Sequence, residues 1–121
     1  MRRLFVSLPM NGLSEEEIRQ TMAECKKDAE KFLGEEFELL NSYITVEPNT
    51  NVKHVGLYYL GISLEIMARA DLIYFAKGWE NARGCRVERE AAVRYGLPMI
   101  MNRCVGGNYV KYYDERKDLE D

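Results

Sequence analysis

Apolar and polar positions along the chain follow two periods, one typical of buried strands and one typical of amphipathic helices. Four short apolar runs predict strands, and a fifth aromatic segment is a further candidate; they are residues 4–8, 39–46, 71–76, 99–102 and 109–113. The third run is almost entirely apolar after its first residue, which is typical of a strand with helices on both faces. The runs therefore predict a sheet of four to five strands.

Three segments between these runs carry the helical period. The first opens at Ser14, where Glu17 three residues later completes a capping box, and it ends near Gly34. The second spans residues 55–70, and the third spans residues 85–95 before a Gly-Leu-Pro turn. Each helix follows one predicted strand and precedes the next along the chain.

Alternation of strand and helix predicts an α/β fold with an open, mostly parallel sheet flanked by helices, a three-layer arrangement of flavodoxin-like or Rossmann-like type. We expect a single domain over residues 1–113 and a charged tail over residues 114–121. In such sheets ligands bind beyond the carboxyl ends of the strands. The loops at residues 9–13 and 77–84 and the segment after Val46 should therefore share one rim.

Composition narrows the class of protein. The 121 residues include 46% hydrophobic and 31% charged residues with a net charge of −3, and no basic cluster suggests a nucleic-acid partner. No apolar run approaches the roughly 18 residues that a membrane-spanning helix needs. Three cysteines and one histidine lack metal-ligand spacing, so we expect neither a metal nor a cofactor, and reduced thiols in a cytoplasmic protein.

Glu88 is the residue that most suggests chemistry. It lies about one turn inside the third helix and shares the small apolar face of Ala91, Ala92 and Tyr95. A carboxylate on a face that packs against a sheet is costly unless it has a partner or a function. The alternative is a structural ion pair with a nearby arginine.

The loops around Glu88 supply candidate substrate-binding residues. The segment of residues 7–12 could surround a phosphate or a ribose with polar groups. The segment of residues 78–86 contains two arginines whose guanidinium groups could bind an anion and a tryptophan whose indole could stack on a ring. The alternatives are a solvated helix start for the arginines and a cover over the core for the tryptophan. The candidates are Ser7, Pro9, Met10, Asn11, Gly12, Gly78, Trp79, Arg83, Gly84 and Arg86.

Taken together, these segments resemble the nucleoside 2-deoxyribosyltransferase-like superfamily, which includes the 2'-deoxynucleoside 5'-phosphate N-hydrolases. The resemblance covers nearly the whole chain. The segments that carry it are residues 5–12, 70–73, 78–80, 83–88, 91–98 and 109–114.

The resemblance implies that Glu88 is a nucleophile that attacks the anomeric carbon of a deoxyribose and displaces the base, while a general acid protonates that base. It implies a nucleoside or nucleotide as the small-molecule partner. Two positions differ from the family: Ser63 stands where the family has an acidic residue, and Phe5 stands where it has a tyrosine.

Three functions stay open on the sequence. The first is a glycosidic-bond enzyme that transfers or hydrolyses, the second a non-catalytic nucleotide- or nucleoside-binding protein on the same fold, and the third a plain α/β interaction domain. Residues 109–113 are too aromatic for a free tail, so we also expect a homodimer or higher homo-oligomer.

Overall fold

The computed structural model describes residues 1–115, which form one five-stranded sheet and three α-helices. A single 3₁₀ turn covers Trp79–Asn81. The elements in chain order are β1 (Arg2–Ser7), α1 (Glu15–Leu33), β2 (Phe37–Leu39), α2 (Val55–Met67), β3 (Leu72–Phe75), α3 (Arg83–Arg94), β4 (Met99–Val105) and β5 (Asn108–Asp114).

The strand order is β2-β1-β3-β4-β5, with every neighbouring pair parallel except β4 and β5. The central pair, β1 with β3, sets Leu4 opposite Leu72 and Ser7 opposite Phe75. This confirms the predicted α/β class, the mostly parallel sheet and the pairing of the first and third apolar runs. The antiparallel last pair is a local hairpin and needs no crossover helix.

The sheet separates two apolar layers. On one face α1 contributes Ile18, Met22, Cys25 and Ala29 to a core with alternate residues of β1 and β3. On the other face α2 and α3 pack against Phe5, Ile73 and Phe75, the residues of opposite parity on those strands. Because successive side chains of a strand point to opposite faces, buried strands with helices on both sides are apolar at every position.

The start and end of α1 follow the sequence signals. The Ser14 hydroxyl accepts a hydrogen bond from the Glu17 backbone N–H, and the Glu17 carboxylate accepts one from the Ser14 N–H, which forms the predicted capping box. The helix ends at Gly34, whose φ of 69° is a left-handed conformation that only glycine adopts without strain.

The predicted strand over residues 39–46 is wrong in extent. β2 covers only Phe37–Leu39, and after Leu40 donates to the Leu4 carbonyl at 2.9 Å the chain leaves the sheet. The cause is local, because the Asn41 side-chain oxygen accepts from the Tyr43 N–H at 3.2 Å and turns the backbone away. Residues 40–54 therefore contain no helix or strand, and Ser42 contacts the Val6 carbonyl near the end of β1.

The C-terminal hairpin is longer than the sequence predicts. β4 extends to Val105, and a two-residue turn at Gly106 and Gly107, both with positive φ, returns the chain as β5. Asp114, the first residue of the predicted tail, is the last residue of β5, and residues 116–121 lie outside the described residues. Within residues 1–115, no helix combines the length and the apolar character needed to cross a membrane.

Candidate functional site

A cleft of about 660 Å³ opens at the carboxyl ends of β1 and β2, between the start of α3 and one side of α2. Its volume lies within the range of ordinary small-molecule sites, roughly 300–1,000 Å³. Its walls come from four parts of the chain: the end of β1 and the loop after it, the irregular segment after β2, one face of α2, and the start of α3.

Glu88 lies in this cleft on α3, as the sequence predicts, and is only 7% exposed. Its two carboxylate oxygens have different partners. The Ser7 hydroxyl, at the end of β1, donates to Oε1 at 2.6 Å, and the Ser63 hydroxyl, on α2, donates to Oε2. Three separate elements therefore fix the plane of one carboxylate.

The carboxylate of Glu88 has no positive partner among residues 1–115. No lysine, arginine or histidine of that range lies within 4.0 Å of it, so the structural ion pair with Arg83 or Arg86 does not form. Burial raises the pKa of the Glu88 carboxyl above its usual value, and the hydroxyls of Ser63 and Ser7 offset only part of that effect. Glu88 is a desolvated acid held by neutral donors.

The raised pKa of Glu88 predicts a pH-dependent stability effect. At pH values between the pKa of Glu88 in the unfolded chain and its higher pKa in the folded protein, the folded state binds more protons than the unfolded state. The contribution of Glu88 to the free energy of unfolding therefore falls as the pH rises through that range. Glu88→Gln removes the charge, and the serine hydroxyls can donate to or accept from the amide. We expect the melting temperature of Glu88→Gln to exceed that of the wild type at pH 8, by about 4 °C for each kcal/mol relieved, and the gain to shrink towards pH 4.

Glu90→Gln on the same helix is the matched control for this experiment. Glu90 is exposed and pairs with Arg94 at 2.7 Å, which holds the pKa of its carboxyl below the usual value. Thermal melts of both variants from pH 4 to pH 8 should therefore show the gain only in Glu88→Gln. A gain of equal size at every pH would contradict the ionisation of a buried Glu88 as its cause.

The start of α3 forms one wall of the cleft. Ala82 precedes the helix and has no side chain to cap it, and Arg83, Gly84 and Cys85 line the cleft in its first turn. Uncapped amides at a helix start attract anions. Burial raises the pKa of the Cys85 thiol to about 11, so this thiol is protonated at neutral pH and is a poor nucleophile.

Several of the predicted binding residues lie in the cleft, and several do not. Ser7, Met10, Asn11, Arg83 and Gly84 line it together with Glu88. Among the residues placed elsewhere, Pro9 borders a different depression near Lys77, and neither Gly12 nor Gly78 lines the cleft. Five of the ten predicted binding residues therefore line the cleft, and the other five do not.

Trp79 and Arg86 also lie outside the cleft. The Trp79 ring is buried, packs 5.5 Å from the Phe75 ring, and donates from its indole N–H to the Asn102 carbonyl at 2.8 Å. It therefore covers the core and is not placed to stack on a ligand in the cleft. The exposed Arg86 borders a surface depression with Arg94 and Tyr95 on the outer side of α3.

The wall formed by the segment after β2 and by α2 contains residues that sequence reasoning missed. They come from the irregular segment after β2 and from α2, and they are Ser42, Tyr43, Ile44, Gly56, Tyr59 and Leu60. The Ser42 hydroxyl donates to the Val6 carbonyl at 3.3 Å, and the Tyr59 hydroxyl donates to the Val46 carbonyl at 2.9 Å. The Asn-Ser pair at residues 41–42 was the available signal, because Asn favours a turn over a continuing strand.

A comparison of the chain with models of known protein families shows the family to which it belongs. The family model described as "Domain of unknown function (DUF4406)" matches residues 2–101. The chain belongs to the DUF4406 family. The DUF4406 match includes every residue that lines the cleft, whereas β5 lies beyond it. No curated protein and no solved structure matches the chain.

Proposed function

We propose that this protein cleaves the N-glycosidic bond of a nucleoside or nucleotide, with Glu88 as the nucleophile. The observation that carries this proposal is the Glu88 carboxylate itself, buried at the rim of the sheet in a cleft and oriented by Ser7 and Ser63. A desolvated carboxylate has a high energy when ionised, so proteins tolerate it where it serves a purpose.

A carboxylate is a suitable nucleophile for the cleavage of an N-glycosidic bond. Departure of a base from C1' leaves an oxocarbenium-like centre, which a close anion stabilises before it forms a covalent bond. Transfer to a second base or hydrolysis by water then releases the sugar from Glu88. The titratable groups that line the cleft offer no better nucleophile, since the Cys85 thiol is protonated at neutral pH.

The cleft also offers an anion site at a distance from the carboxylate. The Arg83 guanidinium lies against α2, where a Cβ added at Gly56 would be 3.0 Å from its Nη2, and it borders the uncapped start of α3. A guanidinium beside free amides favours a phosphate. We assign Arg83 and Gly84 to the 5' end of the substrate, and Met10 and Asn11 to its sugar.

The sequence and the strand order support the same proposal. Glu88 occupies the position of the helix glutamate in the nucleoside 2-deoxyribosyltransferase-like superfamily, which the chain resembles. The order β2-β1-β3-β4-β5 equals the flavodoxin-like order 2-1-3-4-5, and ligands of such sheets bind where β1 and β3 diverge. The cleft begins at the end of β1.

The experiment that tests the proposal measures release of free base. The wild type is incubated with ribo- and 2'-deoxyribonucleosides and their 5'-monophosphates, and products are separated by chromatography. We expect release from at least one member and a rise in melting temperature with it, about 2.7 kcal/mol of stabilisation at 100 times the dissociation constant. Stabilisation without release would favour the alternative, a nucleotide-binding protein, which the serine at position 63 makes reasonable.

We further propose that the protein forms a homodimer through the β4–β5 hairpin. Tyr109 pairs with β4 in the same chain, yet the hairpin leaves several large apolar side chains 40% exposed or more: Val105, Tyr109, Val110 and Tyr112. Val110 and Tyr112 lie two residues apart and so share one face of the edge strand. The double variant Val110→Lys, Tyr112→Lys should reduce the mass measured by light scattering to that of a monomer. A wild type that is already monomeric would contradict the interface.

A further inference from the structure

The first observation is that the charge of the Glu88 carboxylate is not balanced by the protein. Its partners in residues 1–115 are the two neutral hydroxyls of Ser7 and Ser63, and no cationic group of that range reaches it. Removing a charged group from water is expensive unless an opposite charge accompanies it. A ligand that brings a positive charge to this carboxylate would supply the missing partner.

The second observation is that the cleft holds a single acid. Of the described residues that line it, Glu88 is the only aspartate, glutamate or histidine. A neutral nucleobase leaves easily only when a general acid protonates it, and that acid must lie within hydrogen-bond reach of the base. With Glu88 engaged as the nucleophile, no second carboxyl group or imidazole of residues 1–115 lines the cleft. The other candidate proton donors there are the Cys85 thiol, whose pKa burial raises to about 11, and the hydroxyls of Tyr43 and Tyr59, of which the second already donates to the Val46 carbonyl.

Both observations are satisfied by the same kind of substrate. We propose that the cleft is selective for N-glycosides whose leaving heterocycle is already a cation, such as a pyridinium or an N7-alkylated purine. This inference rests on the proposed function and adds the substrate class to it. A cationic heterocycle departs without a proton, and its charge faces the one buried carboxylate before the bond breaks.

The reaction balances without an added acid. The bond between C1' and the cationic ring nitrogen breaks, and its electron pair goes to that nitrogen, so the base leaves neutral. A lone pair of the Glu88 carboxylate forms a bond to C1', giving a glycosyl ester. Water then attacks C1', the carboxylate of Glu88 leaves as the anion, and the proton of the water goes to solvent.

The remaining walls of the cleft fit a planar cation. The Tyr59 side chain lines the cleft and is partly buried, whereas the ring of Tyr43, which also lines it, already has the Arg19 guanidinium over it, 5.4 Å from its centroid. The face of an aromatic ring attracts a cation, and the attraction strengthens as water is excluded. Arg83 is exposed where it lines the cleft and lies more than 4.0 Å from Glu88. A phosphate bound to Arg83 would offset the repulsion between its guanidinium and the cationic base.

The test uses pairs of glycosides that differ in the charge of the base and little else. One pair is 7-methylguanosine 5'-monophosphate with guanosine 5'-monophosphate, and a second is nicotinamide ribose 5'-monophosphate with its 1,4-dihydro form. Each is supplied as riboside and 2'-deoxyriboside to the wild-type protein, and each rate is divided by the uncatalysed rate in buffer. We expect an enhancement at least 100-fold larger for the cationic member of each pair.

A binding measurement gives a readout that does not depend on turnover. The cationic ligands should bind Glu88→Gln at least tenfold more weakly than the wild type, while the neutral members bind both equally. Glu90→Gln, which alters an exposed glutamate of the same helix, should bind like the wild type. Equal enhancement for charged and neutral members would overturn this inference and leave the proposed function intact. Cleavage of no glycoside at all would overturn both.

Discussion

Glu88→Gln should lower the rate of base release by about 10³-fold or more, which corresponds to about 4 kcal/mol of lost transition-state stabilisation. The amide keeps the size of the side chain, and it can still bond to Ser7 and Ser63, which hold the two carboxylate oxygens. It has no lone pair basic enough to form a glycosyl ester with C1'. The loss should therefore fall on kcat and leave the fold in place.

Two measurements separate this loss from a structural effect. Thermal stabilisation by a 5'-monophosphate with a neutral base should persist in Glu88→Gln, because the proposed anion site at Arg83 and the start of α3 is untouched. Glu90→Gln should retain wild-type release, since Glu90 is exposed and pairs with Arg94. Full release by purified Glu88→Gln would refute the covalent role of Glu88.

Trp79→Ala should destabilise the fold by about 3–5 kcal/mol, a large share of the stability of a domain this size. Trp79 fills a buried position against Phe75, and its indole N–H satisfies the Asn102 carbonyl. Alanine leaves a cavity and an unpaired buried acceptor. We expect the melting temperature to fall by more than about 10 °C in a thermal denaturation experiment.

The Trp79 variants also distinguish a ring that covers the core from a ring that stacks on a bound ligand. Below the melting transition, Trp79→Ala should release base within a few-fold of the wild-type rate, because the ring does not line the cleft. Trp79→Phe, which keeps most of the apolar volume, should lose less stability than alanine. A variant that keeps its melting temperature but loses nucleotide binding would instead place the indole against the ligand.

Local signals predict the elements that depend on local physics. The capping box at Ser14, the glycine that ends α1 and the apolar runs of β1 and β3 all appear where their patterns indicate. Glu88 is identifiable for a similar reason, because a carboxylate on the apolar face of a helix conflicts with its neighbours. A conflict of that kind is visible in the order of the residues alone, and such conflicts are expected at functional sites.

The parts that the sequence does not predict depend on contacts between distant residues. Ser63 is 25 residues from Glu88 and Ser7 is 81 residues away, so neither periodicity nor spacing indicates that both donate to it. In the sequence Ser63 stands out only because the superfamily that the chain resembles has an acidic residue at this position. The Gly106-Gly107 turn is a local signal for a long hairpin, but the poor alternation of the flanking residues obscures it.

If Glu88 bonds covalently to C1' of the sugar, as we propose, the glycosyl–enzyme intermediate can be trapped. A 2-deoxy-2-fluoro-arabinosyl glycoside of a pyridinium base slows the second step, because the fluorine destabilises an oxocarbenium-like centre. Intact-protein mass spectrometry should then show one added fluoropentosyl residue, located by peptide mapping on Glu88 and absent from Glu88→Gln. Stoichiometric base release with the label on another side chain, or with no label on any, would contradict the account.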